Sequence, residues 1–292
     1  MISQILLPLA LAFIMFAMGL TMTMGDVKQV FTKPKALLTG LAAKLFLVPL
    51  LGVLVVSLFM MEPDFAVGML ILAACPAGVT SSLLTHHAGG RIALAAMVTA
   101  ISSLAAALTL PLIANLGLQL YAGYGQSVDL PVGRMIFGIF LVDTLPLALG
   151  LGLQKWKPEL AALLGRFARP IATLLFALIV VGAFASQAQT MLTHGAQLLA
   201  PALLLNLAAM AGAGAIGVGM GLSRGDTIAV IMENGLQNSA LGIFVALTLL
   251  RNDAMMAPSI IYALAMNVTA LAVIAWLRQR AKASGHALDK PA

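Results

Sequence analysis

Two short polar runs interrupt an otherwise apolar chain, and both carry groups able to hold an ion. The run Glu233-Asn234-Gly235-Leu236-Gln237-Asn238-Ser239 sets five strongly polar side chains around a glycine. The run Cys75-Pro76-Ala77-Gly78 is followed at once by Thr80, Ser81, Ser82 and Thr85. A carboxylate among amide and hydroxyl oxygens can ligate a hard cation such as sodium, or carry a proton. Gln237 shares a face with Glu233 if a helix continues between them. A third charged position, Lys44, also lies among apolar residues. It could neutralise the carboxylate, act as a titratable group, or snorkel to the near membrane face, roughly 13 Å of helical rise away. Asp143, just before Pro146, could line a cavity or sit near water. Catalysis is not indicated: His86 and His87 fall at a predicted helix end far in sequence from Glu233 and Asp143, and no nucleophile or metal-ligand spacing accompanies them. The single cysteine, Cys75, excludes an intramolecular disulfide and a cysteine-based metal cluster.

The elements that must position these residues follow from hydropathy. Of 292 residues, 61% are hydrophobic and 9% charged, and the mean hydropathy is +1.05, so water is not the main solvent. Apolar stretches of about 20 residues match the length a helix needs to cross a hydrocarbon core. They predict an all-α polytopic membrane protein of about nine transmembrane helices, near 5–24, 36–60, 65–87, 91–118, 131–154, 167–189, 194–222, 226–250 and 256–278. No long hydrophilic insertion interrupts them, so residues 1–292 read as a single membrane domain. The first segment lacks a basic leader region and is expected to remain as a helix. Two spans should be broken at mid-membrane. Pro76 removes an amide donor and crowds the preceding turn, while the Glu233 cluster exposes polar groups where lipid offers no hydrogen bonds. Paired breaks in the two halves of a chain are the sequence signature of a repeat-built carrier, whose half-helix ends converge on ions and substrate.

Charge placement sets the expected topology. Lys28, Lys33, Lys35, Arg91, Lys155, Lys157, Arg166, Arg169, Arg224, Arg278, Arg280, Lys282 and Lys290 fall on one side, thirteen of the sixteen basic residues; Arg134 and Arg251 fall on the other. The positive-inside rule then places the N-terminus outside and the C-terminus in the cytoplasm, which requires an odd number of spans. With a net charge of +6, distribution across loops is more informative than size, and the basic tail from Arg278 to Lys290 reads as a topology signal facing anionic lipid and not as a nucleic-acid patch.

Together these residues resemble the bile acid:sodium symporter family. The resemblance is carried by Glu233-Asn234-Gly235-Leu236-Gln237-Asn238, by Cys75-Pro76-Ala77-Gly78 with Ser81, by Met15-Phe16-Ala17-Met18-Gly19-Leu20-Thr21, and by Leu41-Ala42-Ala43-Lys44 before Pro49. It implies inverted repeats with two crossed broken helices and a nine-helix form of a ten-helix architecture. It further implies a panel domain (5–24, 131–154, 167–189) that moves against a core domain (36–60, 65–87, 91–118, 194–222, 226–250, 256–278). Asn206 and Asn267 match polar core positions of the family, and Ser102 and Ser103 lie on the helix after the first break; each could equally be a helix–helix hydrogen bond.

The departures from the family pattern bear on mechanism. The resemblance implies two sodium sites. At the first, Ser81, Thr99, Glu233 and Asn238 match, while Ser82 stands where an asparagine is usual and Ala95 where a serine is common. At the second, Lys44 stands where the family has a glutamine, and an ammonium cannot ligate sodium. The expected function is therefore a secondary active transporter of a small organic anion, a monocarboxylate such as a bile-acid-like, pantothenate-like or keto acid, in a bacterial inner membrane. The expected ion or coupling site is Glu233, Gln237, Lys44, Ser81, Ser82, Thr99 and Asn238; the expected substrate site is Thr80, Asn238, Asn206, Asn267 and Asp143. Sodium coupling would be weakened, or replaced by proton coupling or a tethered Lys44. No cofactor is expected beyond a sodium ion. The alternatives are a symporter using one remaining sodium site, and, in other classes, a channel or an intramembrane enzyme.

Overall fold

A computed structural model describes residues 2–22, 25, 34–78, 80–121 and 132–283. Lys28, Lys33 and Lys290, which contribute to the expected charge asymmetry, lie outside the described residues. The described chain is helical apart from turns and one isolated β-bridge. In order it forms α1 (Ile2–Gly19), α2 (Pro34–Leu58), α3 (Pro63–Ala74), α4 (Ser81–Ala88), α5 (Ile92–Tyr121), α6 (Val132–Trp156), α7 (Pro158–Ser186), α8 (Ala188–Gly219), α9 (Arg224–Gly235), α10 (Ser239–Leu249) and α11 (Ala257–Ala283). Among the described residues six helices are long and apolar enough to cross a bilayer: α2, α5, α6, α7, α8, and α11 with the short 3-10 turn before it. The expectation of nine counts in addition α1 and the two interrupted pairs, α3 with α4 and α9 with α10.

Local chemistry sets the ends. α7 starts earlier than hydropathy implies because Pro158 occupies its first turn, where its missing amide is no loss, and Glu159 faces the positive helix end. Arg166 and Arg169 consequently sit inside that helix. α9 is capped by Ser223, whose Oγ accepts from the Asp226 amide at 3.2 Å. Arg91, at the entry to α5, reaches across to Asp226 at 2.6 Å and fastens the start of α9 to the start of α5.

Among the described residues two of the three wide π-helical turns precede a proline, and each of those two carries an intramembrane charge. Lys44 lies in the turn Ala43–Leu47 ahead of Pro49, and Asp143 in the turn Phe140–Thr144 ahead of Pro146. A proline ring crowds the carbonyl four residues back, and a widened turn relieves that clash. The extra residue per turn re-aims the charged side chain out of helical register.

α1, α6 and α7 pack on one another, while α2 packs with α3 and α8, α5 with α3, and α8 with α9 and α11. At the α1–α6 crossing the backbones touch through Gly19 and Gly150. A Cβ on Gly150 would lie 2.4 Å from the Phe16 carbonyl oxygen, whereas one on Gly152 meets nothing within 4 Å. Small residues permit such close approach in membranes. Gly150→Val is therefore expected to destabilise the protein by about 1–3 kcal/mol, with Gly152→Val near neutral. Thermal unfolding in detergent checks the pair, and equal Tm values would remove the crossing from the account of stability.

Candidate ion and substrate site

The two breaks meet. α3 ends at Ala74 and α9 at Gly235, and the extended residues between the half-helices run past one another as a two-residue antiparallel bridge, Ala77 opposite Gln237. The Gly78 amide donates to the Leu236 carbonyl at 3.2 Å, and the Asn238 amide to the Pro76 carbonyl at 2.8 Å. Main-chain groups freed by one break are thus satisfied by the other, as a water-free environment requires. Gly78 is needed here for space, since a Cβ would stand 2.8 Å from the Gln237 carbonyl oxygen.

Terminating α9 frees its last carbonyls, and each finds a side-chain donor. Lys44 Nζ donates to the Glu233 carbonyl at 2.9 Å and to Gln237 Oε1 at 2.7 Å. Gln237 Nε2 donates to the Asn234 carbonyl at 3.0 Å. Asn206 Nδ2 and the Tyr262 hydroxyl donate to the Gly235 carbonyl at 2.7 and 2.8 Å. The ammonium therefore sits at the negative end of a half-helix, where a cation is favoured. Lys44 is 2% exposed and Glu233 0%, so the lysine is held inside the protein and does not snorkel.

The Glu233 carboxylate points elsewhere. Its Oε2 accepts from Thr99 Oγ1 at 2.5 Å, and Ser81 faces the same group. Glu233 Oε1 and Ser81 Oγ are buried without a hydrogen-bond partner. The Lys44 and Glu233 side chains are both buried at the end of α9, yet no direct ion pair joins them among the described residues. Asn238 Oδ1 caps α10 by accepting from the Leu241 amide at 3.1 Å. Ser81, Thr99 and Glu233 are brought together, with Asn238 at the adjoining half-helix.

The other sequence-derived candidates are dispersed. Asn206 is fully buried and spent on the end of α9 and on Thr269, whose hydroxyl donates to its Oδ1 at 2.6 Å. Asn267 is half-buried and donates to the Ala263 carbonyl of its own helix at 2.7 Å. Asp143 is fully buried, with neither oxygen hydrogen-bonded, and faces Ser103 of α5. Ser102 Oγ donates to the Thr99 carbonyl at 3.0 Å. Thr80 and Ser82 line a cavity of about 600 Å³ between α1 and α7 on one side and α4 and α5 on the other. A second cavity of about 770 Å³ lies between α1, α7 and α10, with Asp253 its charged lining residue. Sequence reasoning missed Tyr262 and the cavity position of Arg169. An aromatic hydroxyl in an apolar helix was the available signal for the former, and nothing in the sequence showed the latter.

Long apolar helices built around two crossed, interrupted ones define a multi-pass membrane protein whose half-helix ends gather carboxylate, ammonium, amide and hydroxyl groups. Residues 8–194 match the Sodium Bile acid symporter family, and the chain belongs to it. That family consists of transporters and not of enzymes. The match spans Lys44, Ser81 and Thr99; Glu233 and Gln237 lie beyond it. The chain is similar to the probable sodium/metabolite cotransporter BASS1, chloroplastic, of Oryza sativa subsp. japonica, with 29% identity over 81% of this chain and 57% of the relative. It is similar to BASS2 of the same plant, with 26% identity over 94% and 64%. The uncharacterized sodium-dependent transporter YocS of Bacillus subtilis (strain 168) shares 26% identity over 81% and 72%. The chain thus spans about three fifths of the length of the two rice relatives.

Proposed function

We propose that this protein is a secondary transporter that moves a small organic anion across a bacterial inner membrane by alternating access, with the Lys44 ammonium standing in one of two cation positions. The observation that carries the reading is the seat of Lys44 Nζ, 2.7 Å from Gln237 Oε1 and 2.9 Å from the Glu233 carbonyl, fully inside the protein. Two oxygens suited to a cation already hold one, and Coulomb repulsion opposes a second beside it. α1, α6 and α7 form the panel, which moves against a core holding the crossed breaks; the mutual packing of these three helices supports that division. The chain crosses nine times, with its N-terminus outside and its C-terminus in the cytoplasm. Asn206 acts by fixing the end of α9, and Thr80 and Ser82 meet the substrate.

A second reading is favoured by a specific observation. Ser81 and Thr99 bring their hydroxyls to the Glu233 carboxylate in a buried cluster, a set of oxygens that fits one sodium ion. Transport would then couple to one sodium rather than two. Uptake of candidate monocarboxylates into proteoliposomes, under imposed sodium or proton gradients, tests both readings. Weak or single-ion sodium dependence is expected. Steep dependence with two sodium ions per substrate would show that Lys44 leaves its seat during the cycle and would overturn the tethered-cation mechanism.

A further inference from the structure

One buried carboxyl takes no part in the site at the crossed breaks. Asp143 lies on α6, in the wide turn Phe140–Thr144 ahead of Pro146, and is 0% exposed. The turn meets α5 across the proposed boundary between panel and core. There the Thr144 hydroxyl donates to the Ser103 carbonyl at 3.3 Å, and the Ser103 hydroxyl faces the Asp143 carboxyl. An ionised carboxylate presents about four acceptor sites, and that hydroxyl is the only donor beside it among the described residues.

No cation compensates Asp143 either. α1 packs on this turn and has no titratable side chain, and α5 has Tyr121 alone, at its far end. α10 has none, and α7 carries Glu159, Arg166 and Arg169, all exposed. On α6 itself, Arg134 and Lys155 are exposed toward the two ends. From the core the Cys75 thiol faces this seat, with Lys44 past it. Cys75 donates to the Ile71 carbonyl at 3.3 Å, and Lys44 is spent on the end of α9. No ion pair reaches Asp143 among the described residues. A carboxyl so placed persists in a membrane interior by finding a partner or by holding a proton. Asp143 borders neither of the two large cavities, and a proton needs no room.

We propose that Asp143 is a proton-binding site of the panel, loaded while α6 is packed against α5 and emptied when the two separate. The proposal rests on the alternating-access reading above and deepens it by adding a proton to the closing step. Separation admits water to the carboxyl, and its proton passes to that water. Repacking strips the water away, and a bare carboxylate with one hydroxyl beside it opposes closure. Each closure therefore takes one proton from the water of the cleft. Because the separated form holds one proton fewer, rising pH favours separation. The ratio of packed to separated forms falls by up to about tenfold per pH unit.

Two measurements on the purified full-length protein test this. Infrared spectra of wild type at neutral pH should show the carbonyl stretch of a neutral carboxylic acid that shifts on carbon-13 labelling of aspartate, which separates it from Glu233 and needs no variant. Asp143→Asn, which keeps the shape of the neutral acid, should lose that band. Spin labels on the exposed positions Leu174 of α7 and Leu207 of α8 then report the distance between panel and core as pH is raised. Wild type should shift toward the separated form by up to about tenfold per pH unit, whereas Asp143→Asn should stay packed throughout. Absence of a neutral-acid band that shifts with aspartate, or its loss when sodium replaces potassium, would overturn the proposal. So would a wild-type distance indifferent to pH, or the same pH response in Asp143→Asn. The band without any separated population, in either protein at any pH, would instead contradict alternating access and leave the proton site standing.

Discussion

Glu233→Gln is expected to destabilise the folded protein by about 3–5 kcal/mol and to abolish transport. The substitution preserves shape and leaves an oxygen for the Thr99 hydroxyl, so it isolates the loss of charge. What remains is an ammonium at 2% exposure held by two neutral acceptors, the Glu233 carbonyl and Gln237 Oε1. An uncompensated buried charge is among the most damaging single changes a protein can suffer. Lys44→Met should cost a similar amount, because it strands the carboxylate and leaves both of those acceptors without a donor. The double variant removes both charges together, and it should recover much of the stability without recovering transport. Chemical unfolding of the four proteins in detergent gives the coupling energy. If the double variant lost the sum of the two single losses, the ammonium and the carboxylate would be energetically independent and the pairing would be wrong.

The crossing of the two breaks is the second place where one atom group should matter greatly. Gly78→Val is expected to cost about 2–4 kcal/mol, combining steric overpacking with the loss of backbone hydrogen bonds. Its first side-chain carbon would stand 2.8 Å from the Gln237 carbonyl oxygen, which is backbone and cannot swing aside. Relief requires separating the strands, which breaks the 3.2 Å bond from Gly78 to Leu236 and the 2.8 Å bond from Asn238 to Pro76. Gln237 would move with them and carry away an acceptor of Lys44. Transport should fall below a tenth of wild type in protein that still reaches the membrane. Wild-type uptake by Gly78→Val at equal membrane abundance would mean that the bridge does not hold the site.

The positions of both breaks were legible because Pro76 and the Glu233 cluster violate what a continuous apolar helix tolerates. The way the broken ends are satisfied was not. A helix continuing from Glu233 to Gln237 would have set both side chains on one face; the helix instead stops at Gly235, and Gln237 reaches Lys44 from an extended segment. Lys44 was recognisable as a buried cation, and the resemblance implied a glutamine in its place. That it would take the backbone carbonyl of Glu233 depends on where α9 ends, which periodicity fixes only to within a few residues. Asn206 was recognisable as a buried amide, but its role in closing α9 with Tyr262 required tertiary proximity across 29 residues of chain. Arg169 counted in the sequence only toward charge asymmetry. Its place on a cavity wall emerges once Pro158 is seen to start α7 early and to carry that arginine into the helix.

The central claim is that a lysine ammonium fills a cation position, and sodium stoichiometry tests it most directly. Equilibrium binding of radiolabelled sodium to purified wild type and to Lys44→Gln counts the ions each protein holds. Wild type should bind no more than one sodium per chain. Lys44→Gln, which restores a neutral oxygen donor beside an uncompensated Glu233, should bind one more and be stabilised by sodium against unfolding. Identical stoichiometry in the two proteins, or two sodium ions bound by wild type, would contradict the assignment of Lys44 to that position.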